Sequence, residues 1–233
     1  MVAVHPVSRR ERLRAETDAE IKQAALAQIA TRGASALSIR GVARAIGMSP
    51  AGLYRYYDSL EALLTALIAD AYGELADAVT AAAGEPGTVR DRLRAAMHAY
   101  RGWALADPQR FVLIFGAPVP GYSAPKDGPT EVANRRIGTA FFRLAVQAHA
   151  EGSLRIPPSG RPPTPGELGA APRLGTELPA PAVPTLLGAY AHLHGLVALE
   201  VLGQLDWVYP GSDAGAFFAT EVDGIVDRLL LPG

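Results

Sequence analysis

The stretch from Ser38 to Leu64, SIRGVARAIGMSPAGLYRYYDSLEALL, predicts two short helices joined by a tight turn, with a third helix directly after them. Ser38 can cap the first helix, and Gly47 supplies the positive φ that ends a helix without a Cβ clash. Ser49 can cap the second helix, and Pro50 takes its first position, where a missing N–H costs nothing. The pattern therefore indicates a helix-turn-helix, whose second helix enters a groove of DNA.

The predicted second helix carries small residues and hydrogen-bonding side chains, which do not resemble a core-facing surface. Small residues let the backbone approach base edges, whereas arginine and tyrosine side chains reach bases or phosphates. The expected base contacts come from Ala51, Gly52, Tyr54 and Arg55. The expected phosphate contacts come mostly from Ser38, Arg40, Ser49, Tyr56 and Tyr57, and Pro50 is also expected at the DNA-binding surface.

The order, spacing and type of residues within 17–70 carry a family resemblance. The pattern LSIRxVARxIGMSxxxLYRYYxSxEALL resembles the DNA-binding domain of the TetR family of transcriptional regulators. Members of this family most often carry a phosphate-contacting lysine at the start of the fourth helix, where this chain has Leu60. The resemblance implies a helical transcription factor, and we expect one backbone contact of the family to be missing.

Charge is unevenly distributed along the 233 residues. Residues 1–60 hold nine arginine or lysine residues and five acids, a net charge of +4, whereas the remainder holds 13 and 18, a net charge of −5. This division fits phosphate binding by the first part and avoidance of DNA by the second. The basic run at 9–14 is either a solvated tail or an N-terminal arm that adds phosphate contacts, and its place beside the helix-turn-helix favours the arm. We expect a DNA-binding domain with this arm over 1–60 and a helical domain over 61–233.

The composition indicates a cytoplasmic protein. Hydrophobic residues make up 49% of the chain, which excludes wholesale disorder, and the absence of cysteine excludes disulfides and thiolate metal sites. The first residues lack the apolar run of a signal peptide, and we find no stretch with the roughly 18 apolar residues that a spanning helix needs. We therefore expect no membrane partner.

Helical periodicity continues through the larger domain, which predicts an all-α fold. Residues 153–181 are rich in proline and glycine, and we expect them to form a flexible connector. The last two helices, at about 183–206 and 213–231, have more apolar surface than one small domain needs, which favours a homodimer. Regulators that resemble this chain use their last two helices for this purpose. The expected interface residues are Val201, Leu205, Phe218, Val222, Ile225 and Leu229.

Residues 100–108, 111–122 and 193–200 resemble the effector domain of one branch of the family, which is named for a Trp-His-Gly motif. Leucine stands at the tryptophan position, before His194 and Gly195. A mostly apolar effector pocket is expected here, although aromatic residues at helical spacing also suit a plain core and His194 also suits a hydrogen-bonded core histidine. The expected pocket residues are Tyr100, Trp103, Phe111, Phe115, Phe141 and His194.

Signals for catalysis and for metal binding are weak. Residues 121–125 match a GxSxG elbow only in part, because Pro125 takes the second glycine position and no strand is predicted before it. His192 and His194 point about 200° apart on a helix and cannot chelate one metal together. We expect no enzymatic activity, no metal and no cofactor.

The favoured hypothesis is a homodimeric repressor of the TetR type that binds a palindromic DNA operator and is released by a small, mostly apolar effector. Two alternative hypotheses assign the chain to other classes of protein. One is a helical enzyme or ligand carrier that uses the C-terminal cavity, and the other is an architectural DNA binder without a regulatory role. An enzyme would turn over a substrate without DNA, and an architectural protein would bind DNA with little sequence preference.

Overall fold

The computed structural model describes residues 8–157, 161–173, 178–210 and 213–232. These residues form ten α-helices and one short 3₁₀ turn and include no β-strand, so the predicted all-α fold is confirmed. The helices are α1 (Arg9–Arg32), α2 (Ile39–Ala45), α3 (Pro50–Leu53), α4 (Leu60–Ala83), α5 (Val89–Ala106), α6 (Pro108–Phe115), α7 (Pro129–Ala150), α8 (Pro165–Arg173), α9 (Ala182–Val201) and α10 (Asp213–Leu229).

The chain divides into two compact units. The first comprises the residues up to Ala71 together with Gln109–Thr130, and the second comprises Tyr72–Pro108 and the residues from Glu131 onward. This division differs from the expected single boundary after residue 60. The first half of α4 and nearly all of α6 belong to the first unit, because their contacts are made there.

The helix-turn-helix forms through the local signals read from the sequence. The Oγ atom of Ser38 accepts a hydrogen bond from the backbone N–H of Gly41 at 3.1 Å, and α2 begins directly after it. Gly47 has a φ of +67°, and Ser49 Oγ accepts from the N–H of Gly52 at 3.1 Å. The two caps and the positive φ are confirmed. However, α3 ends at Leu53, and the tyrosine-rich residues after it continue as turns whose backbone N–H groups bond to carbonyls three or four residues back.

An apolar core holds the first unit together. Ile21, Ala25 and Ile29 recur on one face of α1 and are at most 4% exposed. Burying each such side chain contributes roughly 1.5–3 kcal/mol for the larger residues. The same core contains buried residues of α2, α3 and the first half of α4, namely Val42, Ala43, Leu53, Leu63, Leu64 and Leu67.

A polar network fastens three elements of this unit. The hydroxyl of Tyr57 donates a hydrogen bond of 2.6 Å to Oδ1 of Asp18 on α1. The Nζ atom of Lys22 lies 3.0 Å from Oδ2 of Asp18 and 2.8 Å from Oδ2 of Asp70 on α4. Burial raises the pKa of the Tyr57 hydroxyl well above its usual range, and the bond to Asp18 raises it further. The residues after α3 are thereby fixed to α1, and α1 is fixed to α4.

The second unit packs α5, α9 and α10 against one another. Its largest fully buried side chains include Tyr100, Leu193 and Phe218. Arg101 on α5 binds Glu200 on α9 through two hydrogen bonds, of which the Nε–Oε2 bond is 2.7 Å long. The Arg101 guanidinium also lies over the ring of Phe218 on α10, with its carbon 5.1 Å from the ring centroid. One half-buried ion pair therefore joins all three helices.

The proline-rich segment 153–181 contains a short helix and one buried contact among its described residues. Thr164 and Glu167 form a reciprocal capping box, with Pro165 at the first position of α8, so a helix starts where we expected a flexible connector. Further along, Leu178 is 5% exposed and packs with Phe142 of α7. A flexible connector stays a prediction for this segment, of which 158–160 and 174–177 lie outside the described part.

We predict that Gly47→Ala lowers the melting temperature. A Cβ at this position meets no atom within 4 Å, so the cost comes from the positive φ alone and amounts to about 1–2 kcal/mol. Gly47→Asn should cost less, because asparagine tolerates this conformation. The control is Gly102→Ala on α5, which also meets open space but lies inside a helix, and it should raise stability by about 0.5–1 kcal/mol. Equal effects of the two alanines would contradict the assigned turn.

We also predict that Tyr57→Phe destabilises the first unit by about 2 kcal/mol, since a part-buried hydrogen bond to a charged group is lost. Chemical denaturation followed by circular dichroism measures this loss. The matched control is Tyr54→Phe, because Tyr54 is 49% exposed and its change should stay within about 0.5 kcal/mol. A neutral Tyr57→Phe would mean that the network does not fasten the unit.

Candidate nucleic-acid interface and apolar cavity

The residues expected to touch DNA lie together in the first unit, around the turn that joins α2 to α3. Most of them are exposed, including Arg40 on α2 and Ala51 at the start of α3. Tyr54 and Arg55, which follow α3, are exposed as well. Gly52 and Tyr56 are half-buried. The arrangement presents small, aromatic and cationic groups on one surface.

The two serines of this surface have a structural role. Each hydroxyl oxygen accepts the bond that caps a helix, as described above for Ser38 and Ser49. The hydroxyl hydrogen of each remains a donor for a phosphate oxygen, so capping and phosphate contact are compatible. Gly52 also has a packing reason, because a Cβ there would lie 2.9 Å from Cγ of Met48.

Tyr57 does not lie on this surface. Its side chain is 8% exposed, and its hydroxyl is bound to Asp18. The expected phosphate contact from Tyr57 is therefore corrected. The residue packs α3 and the turns after it, residues 50–57, against α1, and we name these residues the reading segment. The neighbouring Tyr56 faces outward enough for the guanidinium of Arg14 to lie 5.2 Å above its ring. The sequence pattern could not separate these two tyrosines, because both follow a helix end.

Leu60 is the first residue of α4 and is half-buried. The hydroxyl oxygen of Ser59 accepts a hydrogen bond from the backbone N–H of Ala62 at 3.1 Å, which caps this end of the helix. A bond from Ser59 also lowers the pKa of Glu61, so this first turn carries an acid. The first position of α4 thus holds a half-buried leucine where TetR family members most often carry a lysine.

A cavity of about 280 Å³ lies within the second unit, between α5, α7, α9 and α10. Met97, Phe141 and Leu193 contribute to its largely apolar wall. Polar atoms come from Asn134 and Tyr190, and none of the described residues that line the cavity is charged. A neutral, mostly apolar molecule fits such a wall, since a buried charge would remain without a partner.

Of the expected pocket residues, Phe141 lines this cavity and the other five do not. Phe111 and Phe115 lie on α6 in the first unit, where their rings contact each other with centroids 5.0 Å apart. Trp103 is half-buried on α5 outside the lining. Aromatic content alone did not reveal which unit each ring would join. The other lining residues of α7, and those of α9, were not among the expected pocket residues, because their apolar side chains look the same as core residues.

Tyr100 and His194 form a polar contact behind the cavity wall. Tyr100 is fully buried, and its hydroxyl lies 2.9 Å from Nδ1 of His194. The ring of Tyr190, which does line the cavity, stacks on the imidazole of His194 with centroids 5.9 Å apart. Burial lowers the pKa of His194, which favours the neutral imidazole. His194 is therefore placed as a hydrogen-bonded histidine that supports the wall.

The residues expected at a dimer interface are mostly buried within the chain itself. Phe218, Val222, Ile225 and Leu229 are at most 3% exposed, because α10 packs this face against α5 and α9. Val201 and Leu205 are half-buried. A face that is buried within the chain cannot also contact a second subunit, so the assignment is corrected for these four residues of α10 and stays a prediction for Val201 and Leu205. Four of the exposed apolar side chains lie close together in sequence, at the end of α9 and in the turns after it: Leu199, Leu202, Trp207 and Val208.

Helix α9 is long and apolar enough to cross a membrane, by length and composition alone. This corrects our expectation that no stretch reaches that length. Its polar side chains are engaged as they are in a folded domain, since Glu200 binds Arg101 and His194 contacts Tyr100. The helix is apolar on several sides because one side packs on the core, another lines the cavity and a third is exposed.

Comparison with known proteins gives matches over both parts of the chain. Residues 21–67 match the family of bacterial regulatory proteins called the tetR family, and residues 93–225 match the tetracyclin repressor-like C-terminal domain. The HTH-type transcriptional regulators Rv1816 of Mycobacterium tuberculosis and Mb1846 of Mycobacterium bovis are each 40% identical to this chain over 152 residues. That alignment spans 64% of this chain and 64% of each relative's length.

Solved structures of other proteins also resemble this chain. The regulatory protein SCO4313 superposes with a TM-score of 0.72 at 38% identity, over 94% of this chain and 98% of that one. A TetR family transcription regulator from Marinobacter aquaeolei VT8 superposes with a TM-score of 0.66 at 20% identity, over 95% and 100%, and supports the fold alone. Because the C-terminal domain match covers more than half of the chain and the helix-turn-helix match accompanies it, this protein belongs to the TetR family of bacterial regulatory proteins.

Proposed function

We propose that this protein is a DNA-binding transcriptional repressor that acts in the cytoplasm as a homodimer and leaves its operator when a small neutral molecule fills the cavity. The observation that carries the proposal is the exposed surface around α3, set on a capped helix-turn-helix in a member of this family. The cavity in the second unit supports the regulatory part.

Sequence reading is assigned to the residues at and after α3. Ala51 is exposed and small, so the backbone of α3 can approach base edges closely. Arg55 is exposed and can make a bidentate contact with guanine, while Tyr54 offers a hydroxyl and a ring. Arg40 and the hydroxyls of Ser38 and Ser49 suit phosphate oxygens, which fix the orientation of the reading segment.

Apolar surface that the chain leaves uncovered supports the proposed homodimer. Trp207 is 86% exposed, and Leu202 is 56% exposed in the same segment after α9. Exposed groups of this size that lie close together mark interaction sites more often than single exposed residues do. A second copy of this segment, related by a two-fold axis, would cover both patches at once. Two-fold symmetry in turn requires a palindromic operator.

The effector is proposed to be neutral and mostly apolar, with one or two polar groups. Its apolar part would contact residues such as Met97 and Phe141. Its polar group would meet the hydroxyl of Tyr190 or the amide of Asn134. Release from DNA requires that the molecule bind more tightly to the arrangement that does not fit the operator, because equal affinity for two states shifts nothing.

We predict that Trp207→Glu, combined with Leu202→Glu, converts the dimer to a monomer and weakens operator binding at least tenfold, because each half-site must then be bound alone. Light scattering measures the molecular mass of each variant in solution. Selection from random DNA duplexes identifies the operator of the parent protein, which should be palindromic. The matched control is Leu168→Glu, since Leu168 on α8 is 55% exposed but lies outside this segment. A dimer that survives the double change, or an asymmetric operator, would contradict the proposal.

We predict that Ala189→Phe abolishes the rise in melting temperature that ligands cause, because the new ring occupies the cavity. A suitable screen compares neutral ketones and alcohols of about ten heavy atoms with carboxylates of the same carbon skeleton. Neutral compounds should stabilise the parent and lower its operator affinity, whereas carboxylates should not. The variant should bind the operator within a few fold of the parent. Preferential binding of carboxylates would refute a neutral effector.

A further inference from the structure

The basic run at residues 9–14 is a folded part of the first unit. Helix α1 begins at Arg9, and Ser8 caps it in a reciprocal capping box with Glu11. The four arginines of this run, Arg9, Arg10, Arg12 and Arg14, are all exposed. The matched helix-turn-helix family segment begins only at residue 21. We name residues 9–14 the basic arm. It extends α1 by more than a turn beyond the family segment.

Two of these arginines lie on the side of α1 that packs on the helix-turn-helix. Positions 10, 14, 18, 21 and 25 recur at helical spacing and share one face, because residues three or four apart are neighbours on a helix. Ile21 and Ala25 of this face are fully buried. The side chains of Arg9 and Arg12 point to the other side of the helix. The arm therefore has a face toward the reading segment and a face toward solvent.

Contacts along this face reach two consecutive tyrosines. Asp18 accepts a hydrogen bond from Tyr57, and Arg14 lies over the ring of Tyr56. Arg10 is one turn nearer the helix start, about 6 Å further along the axis at 1.5 Å per residue. Because Tyr56 follows Arg55 directly, Arg14 and Arg10 continue the exposed cationic surface outward from the reading segment.

We propose that Arg10 and Arg14 of the basic arm bind phosphates of the operator duplex next to the bases read by α3. This inference rests on the proposed DNA-binding function and adds a binding surface to it. A guanidinium that stacks on a ring keeps its N–H edge available for a phosphate, and the stacking reduces the freedom lost on binding. The acids nearest to this face are engaged: Glu11 caps the helix, and Asp18 binds Lys22 and Tyr57.

Duplex DNA is the partner that the observations favour. The arm lies in the same unit as the helix-turn-helix, and residues 1–60 are the positively charged part of the chain. A phosphate contact of this kind carries no base information, so it should raise affinity equally for all sequences that share the site length. Each phosphate that is neutralised releases counterions and contributes about 0.9 to the slope of log affinity against log salt.

The experiment compares Arg10→Gln, Arg14→Gln and their double variant with Arg12→Gln, which removes the same charge from the opposite side of the same helix. Affinity for the selected operator is measured across a salt series for the full-length dimer. The double variant should lose about tenfold in affinity or more at moderate salt, and its salt slope should fall by about two per subunit. Arg12→Gln should keep the slope of the parent. The base preferences found by selection should stay unchanged in all four.

Two further variants separate the contact from its alternatives. If Arg14 acts from its position on Tyr56, then Tyr56→Leu and Arg14→Gln should have effects that do not add, because they remove one arrangement. Arg55→Ala should flatten the base preference at one position, unlike any change in the arm. Melting temperatures within a few degrees of the parent establish that the variants are folded.

An equal loss for Arg12→Gln and Arg10→Gln would overturn the proposal, because the arm would then act only through its overall charge. Unchanged slopes in the double variant would overturn it as well. Transfer of the arm's effect to single-stranded RNA or to an acidic protein, with none on duplex DNA, would assign the arm to a different partner. If the parent itself shows no sequence preference on DNA, the proposed function fails, whereas sequence preference with unaltered slopes refutes the arm alone.

Discussion

The hydrogen bond from Tyr57 to Asp18 determines how the first unit presents its reading surface. It joins the end of the helix-turn-helix to α1, and Lys22 extends the connection from Asp18 to Asp70 on α4. Since α3 spans only four residues and is followed by turns, its backbone hydrogen bonds alone would stabilise this segment weakly. The exposed position of Arg55 and the stacking of Arg14 on Tyr56 both depend on this attachment to α1.

A different polar contact has the same importance in the second unit. The ion pair of Arg101 with Glu200 joins α5 to α9, and the contact of Arg101 with Phe218 adds α10. Glu200 is 10% exposed, so removing its partner would leave a nearly buried charge. These contacts of Arg101 fix the orientation of α9. The helix therefore contributes side chains to the core, to the cavity wall and to the exposed apolar segment that ends at Val208.

The sequence predicted what is decided locally. Caps at Ser38 and Ser49, the positive φ of Gly47 and the all-α fold depend on a few neighbouring residues, and each is confirmed. Tertiary choices could not be read in the same way. Tyr56 and Tyr57 are adjacent and alike, yet one is half-exposed and the other is buried; Phe111 and Phe141 look equally suited to a pocket, yet α6 belongs to the first unit. The apolar face of α10 gave no sign of whether its partner is in the same chain.

The uncharged lining of the cavity has a consequence for the source of the proposed effector. Of the described residues in that lining, Asn134 and Tyr190 are the polar ones, and a compound that satisfies them while burying the rest of its surface is also soluble in hydrocarbon. Such a compound diffuses through a lipid bilayer without a carrier. For the proposed effector, occupancy of the cavity would therefore follow the concentration outside the cell as well as the concentration inside it, without a transport protein.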